Sequence, residues 1–160
     1  MTDAAQTTSW QLTAVHHIGL TVSDIERSIH FYRDVLGMTL IRRRPNVDAD
    51  YVAQQTGYDG VVLSVASFGV GGPDSGPSME VVQYLTQSGP PSEPATNRAG
   101  TSHLCLLVDD LLASYNELRS QGVRFKSEPV TISAGPNEGG LVLYFFDPDG
   151  YTLELFQPPA

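Results

Sequence analysis

Two histidines and two glutamates carry the chemistry this sequence could do: His17, Glu80, His103 and Glu154. Each sits in a short apolar or alternating run, within HHIGLTV, SMEVVQ, HLCLLV and TLELFQ respectively. A carboxylate in a buried strand is costly unless it is paired or holds a cation. Two imidazoles and two carboxylates would neutralise a divalent ion. They would leave open positions on an octahedral metal, where substrate oxygens could bind. A lone strand histidine is usually structural, and a lone strand glutamate usually faces water. The case for one shared ion rests on the four occurring as two equivalent pairs.

The equivalence comes from an internal repeat. HIGLTVSDI, starting at His17, matches HLCLLVDDL, starting at His103, with His, Leu, Val and Asp at the same offsets. SMEVVQ (78–83) matches TLELFQ (152–157), so Glu80 and Glu154 occupy like places. Agreement of pattern, caps and chain order makes a chance repeat implausible. Successive strand residues point to opposite faces. His17, Gly19 and Thr21 therefore share one face, and Ile18, Leu20 and Val22 the helix-packing face. His16 falls opposite His17. In the second copy His103, Cys105 and Leu107 share the cup face. Gly19 removes bulk there and leaves room for a ligand.

The elements that position these residues follow from the same reading. Ser23 and Glu26 form a capping box that opens a helix. Ile25, Ile29, Tyr32 and Leu36 give it one apolar stripe, and Gly37 stops it. A second helix starts at Asp109 or Asp110, carries Leu111, Leu112, Tyr115 and Leu118, and ends at Gly122. Strands follow over Met38–Arg43, Val61–Phe68, Val123–Lys126 and Leu141–Phe146, with a β-turn at Asp147–Gly150. Each copy reads strand, helix, strand, strand, strand. The expected organisation is a flexible N-terminus (1–12), a first βαβββ module (13–85), a polar, proline-rich linker (86–100) and a second βαβββ module (101–158). The fold class is α+β, with two half-sheets closing around a concave surface suited to a small molecule.

Composition sets outer bounds. A chain of 160 residues with 41% hydrophobic residues can bury a sizeable core. Its formal net charge of −9 argues against nucleic acid as a partner. The one basic cluster, Arg42, Arg43 and Arg44, reads as a solvated strand end or as a greeting point for one anionic substrate group. The single cysteine, Cys105, excludes an intrachain disulfide and reads as a small packed side chain rather than a soft ligand. His30 reads as exposed. The apolar runs are too short to span a bilayer, and the first residues lack the pattern of a signal peptide, so a cytoplasmic protein without a membrane partner is expected.

HHIGLTVSDIERSIHFYRDVLGM, GTSHLCLLVDDL and YFFDPDGYTLELFQ resemble the vicinal oxygen chelate superfamily, over about residues 13–158. That group includes glyoxalase I, methylmalonyl-CoA epimerase, extradiol dioxygenases and resistance proteins. The resemblance implies paired modules curled into an open mixed-sheet barrel around one divalent metal ion, which could be Zn, Ni, Co, Mn or Fe. It implies ligands from the first and last strands of each module, here His17, Glu80, His103 and Glu154. This set looks most like glyoxalase I, which usually builds its site across a homodimer interface. The activity implied is a metal-dependent lyase or isomerase that transfers a proton next to a carbonyl, on a small molecule with vicinal oxygens. Glu80 and Glu154 are the candidate catalytic bases. Tyr84, Phe156 and Leu107 would wall the pocket, and loops 44–60, 69–77 and 133–140 would line its mouth. The alternatives are an epimerase-like isomerase, an extradiol-type dioxygenase needing only two histidines and one glutamate, and a non-catalytic binding or resistance protein.

Overall fold

The computed structural model describes residues 9–71, 76–93 and 95–160. The expected loose N-terminus lies, for residues 1–8, outside the described residues, as do 72–75 of the loop 69–77. Two mixed sheets carry the fold. The first contains β1 (His17–Thr21), β2 (Thr39–Val47), β3 (Leu63–Gly69) and β4 (Ser78–Tyr84), in the order β1-β4-β3-β2. The second contains β5 (His103–Leu107), β6 (Arg124–Phe125), β8 (Leu141–Phe146) and β9 (Thr152–Gln157), in the order β5-β9-β8-β6, with β7 (Val130–Thr131) also on β8. In both, the first strand runs parallel to the last and the other pairings are antiparallel. The sheets do not close on each other, and β1 and β5 each remain at a sheet edge.

Helix α1 (Ile25–Ile29) follows β1 and runs directly into a π-helical stretch, His30–Val35. The apolar stripe is as expected: Ile25, Ile29 and Tyr32 are buried. The cap is not. Asp24, not Ser23, accepts from the amides of Glu26 and Arg27. Ser23 is drawn away by Asp149, which takes both its amide and its hydroxyl. Tertiary contact therefore overrides the local capping pattern. Asp110 caps α3 (Leu111–Ser120) by accepting from Ala113. Gly37 and Gly122 end the two helices in the left-handed region, at φ 71° and 81°.

Sequence pattern missed a third helix. α2 (Asp50–Thr56) lies in the connection read as an irregular loop, because only Val52 among its residues is buried and no apolar stripe marks it. β2 is also longer than expected, reaching Val47, with register shifts around Leu40–Arg42 and Arg44–Val47.

A single core joins the two modules. Leu20, Ile25, Ile29, Phe68 and Val81 from the first pack with Leu111, Leu143, Phe145, Leu153 and Leu155 from the second. The turn Asp147–Gly150 supplies the polar seam. Tyr32 donates to Asp147 at 2.9 Å, and Arg27 reaches Asp149 at 2.6 Å. Asp147 is 1% exposed and also accepts from the amides of Asp149 and Tyr151. Among the described residues no helix is long and apolar enough to cross a membrane.

Candidate functional site

Register does the positioning. Gly19 pairs with Glu80 and Cys105 pairs with Glu154, so each glutamate lies across from the residue two beyond a histidine. The face opposite the core holds His17 and Glu80 in one sheet, and His103 and Glu154 in the other. His17 Nε2 lies 3.7 Å from Glu80 Oε2, and His103 Nε2 lies 2.9 Å from Glu154 Oε2. Both carboxylates are largely shielded, with side chains 20% and 16% exposed.

These separations suit shared ligation. Two donors each about 2.1 Å from one ion, at roughly a right angle, lie about 3 Å apart. The His103–Glu154 pair has that spacing, and the His17–Glu80 pair is somewhat wider. The two pairs do not meet: among the described residues no group of three or more His, Cys, Asp or Glu side chains converges. One chain brings together His17 with Glu80 and His103 with Glu154, and leaves the pairs apart.

The surroundings of the pairs differ. His17 Nδ1 lies 2.8 Å from His16 Nδ1, so one of the two rings donates to the other. That engages one nitrogen of His17 and leaves Nε2 to face Glu80. His16 precedes β1, so strand alternation does not apply to it; it lines the same cavity as His17 instead of pointing away. Glu80 Oε1 accepts from the Ser67 hydroxyl at 3.0 Å and stands 4.0 Å from Arg44. In the second pair the His103 ring stands edge-on to Tyr144, with centroids 5.3 Å apart. Burial and the Glu154 charge both raise the Tyr144 phenol and the Cys105 thiol above their ordinary pKa values. Cys105 is exposed rather than packed.

A cavity of about 500 Å³ opens over the first pair. Its floor is His17, Gly19 and Glu80, its walls Arg42 and Arg44 from β2, and its rim Tyr51 and Gln55 from α2. A side chain at Gly19 would meet nothing within 4 Å, which bears out the space expected there. Tyr84 lines this cup as expected, but Leu107 does not. It faces a second cavity of about 390 Å³ between the end of the π-helical stretch and α3. Phe156, half-buried on β9, borders neither cavity.

The sequence profile of the Glyoxalase/Bleomycin resistance protein/Dioxygenase superfamily matches residues 14–155. The chain belongs to this superfamily. A 2-epi-5-epi-valiolone epimerase from Actinomyces is 30% identical over 152 residues, covering 92% of this chain and 80% of its own. A lactoylglutathione lyase from Salmonella typhimurium is 33% identical over 145 residues, covering 88% and 90%. In structure, a glyoxalase family protein from Bacillus cereus superposes with a TM-score of 0.82 at 17% identity, covering 97% of this chain and all of that one. The superfamily fold of paired modules is thus the fold observed.

Two further residues tie strand to helix in each module and escaped the sequence reading. Gln83 accepts from the Ile25 amide and Gln157 from the Leu111 amide, each tying the last strand of a module to the start of its helix. The signal was visible, since both glutamines end the matched runs SMEVVQ and TLELFQ. Their capping role needs the three-dimensional approach of strand and helix.

Proposed function

We propose that this chain is a metal-dependent, glyoxalase I-like lyase or isomerase that transfers a proton next to a carbonyl. His17, Glu80, His103 and Glu154 are its ligands for one divalent ion. The observation that carries this is the matched orientation of both pairs, each histidine Nε2 turned toward a glutamate Oε2, at 3.7 and 2.9 Å. Because the pairs of one chain stay apart, the four ligands come from two copies, the first module of one facing the second module of the other. The protein is then a homodimer with two sites. The edge positions of β1 and β5 support this, since they leave both histidines open to a partner.

Held by these four residues, such an ion would supply a Lewis acid for two vicinal substrate oxygens and for the charge developing there. Glu80 or Glu154 takes the proton as general base and returns it as general acid. The Ser67 hydroxyl donates to Glu80 and orients its carboxylate. Tyr84, Tyr51 and Val52 line the cup. Return of the proton to the opposite face would make the same site an epimerase. The epimerase-named relative, which covers 92% of the chain, favours this as the second reading.

The test is metal analysis of wild type against Glu80→Gln, with solvent deuterium exchange on hemithioacetals and 2-substituted thioesters. The reading expects about one ion per chain in wild type, loss in the variant and exchange only with metal. Full metal retention in Glu80→Gln with oxygen uptake on catechols would instead make it a dioxygenase.

A further inference from the structure

Three consecutive arginines, Arg42, Arg43 and Arg44, lie on β2. They do not share a role. Arg43 points to the opposite side of the sheet, where it bonds the Ser64 hydroxyl at 2.8 Å and Glu26 at 2.8 Å. Arg42 and Arg44, two residues apart, both face the cup and line the cavity that holds His17 and Glu80. Their charges are at most loosely paired. Among the described residues Arg42 makes no ion pair, and Arg44 approaches Glu80 only to 4.0 Å, too far for a hydrogen bond. Arg44 Nε is buried and has no hydrogen-bond partner among the described residues. A buried donor left without a partner is costly. Glu80 is the sole acidic residue lining this cavity. In a chain of net charge −9, two guanidinium groups against one carboxylate in one cup are a local reversal of charge.

We propose that Arg42 and Arg44 form an anion subsite that reads an oxygen-rich anionic group, a carboxylate or phosphate, on the molecule bound beside His17 and Glu80. Guanidinium forks bind such groups through paired donors, and a partly shielded cavity strengthens the attraction. The substrate therefore carries two vicinal oxygens at one end and an anionic group within the length of the cup at the other. A neutral polyol or ketone fills only half of the site. Calling the bound molecule a substrate rests on the proton-transfer reading above; the subsite itself does not.

The test is calorimetric titration at constant ionic strength, on metal-stripped and metal-loaded protein. The three probes are dihydroxyacetone phosphate, 2-oxoglutarate and neutral dihydroxyacetone. One anionic probe is expected to bind at least tenfold more tightly than dihydroxyacetone, and which one it is separates phosphate from carboxylate. Arg44→Gln and Arg42→Gln should each reduce that preference severalfold. Arg43→Gln, with the same loss of charge on the same strand, should leave it unchanged. Equal affinity for charged and neutral probes overturns the subsite, as does an equal loss in Arg43→Gln, which would mark a general field effect. Preference in stripped protein with no proton exchange in loaded protein would keep the subsite and remove the enzymatic reading.

Discussion

The two modules share a strand order, a capping glutamine and a histidine–glutamate pair, yet they furnish their cups differently. In the first, β2 spans nine residues and leads into α2, so arginines and an aromatic rim surround a loosely spaced pair. In the second, β6 is two residues long, no helix follows it, and the His103–Glu154 pair is close and bare of arginine. On the proposed reading, duplication has kept the ligand pairs in the strands and varied the connections that would meet a substrate, as expected where a rigid scaffold carries variable loops.

The largest predicted effects fall on what the modules share. Glu154→Gln and Glu80→Gln should each weaken metal binding by more than the roughly 10–100-fold typical of losing an outer partner, measured by competition with a chelator. A large loss in one and none in the other would break the equivalence of the pairs. Phe68→Ala and Phe145→Ala, fully buried in the joint core, should each cost about 3–5 kcal/mol in urea unfolding. Both should unfold in one transition; two separate transitions would mean that the modules are independent cores.

Asp147→Ala comes next, at about 2–3 kcal/mol, because it leaves the Tyr32 hydroxyl and two amides in the seam without their acceptor. The pH dependence has a definite sign. Burial raises the Asp147 carboxyl above the ordinary carboxylate range, outweighing the hydrogen bonds that lower it. Its protonated form is thus the one the fold favours. That contribution is full below the unfolded pKa and is lost as pH rises through the raised folded value. Relative to Asp147→Asn, wild type should gain stability as pH falls from neutral through that range. Gly19→Val should fill the first cup with little change in Tm, since no neighbour obstructs the new side chain, while abolishing probe binding there. A small effect belongs to Arg43→Gln: its pair with exposed Glu26 is worth within about 1 kcal/mol, and the change also removes the donor to the Ser64 hydroxyl.

Much of this organisation was legible in the chain. β8 and β9 fall where the apolar runs end, and the repeat located all four candidate ligands before any coordinates, because a period-two pattern on matched strands reports faces directly. The misses share one cause. Asp149 takes Ser23 from its capping box across 126 positions of chain, α2 has only one buried side chain to betray it, and His16 escapes alternation by lying before β1. Local pattern carries local geometry; it does not reveal contacts made across long stretches of chain.

A mixing experiment addresses that completion most directly. Glu80→Gln and Glu154→Gln proteins are unfolded together, refolded and assayed for tight metal and for proton exchange. If each site joins the first module of one copy to the second of another, mixed dimers regain one intact set of four ligands, and both signals return although neither variant shows them alone. If mixing restores nothing while wild type refolded in parallel recovers fully, the sites are not shared between copies and the account fails.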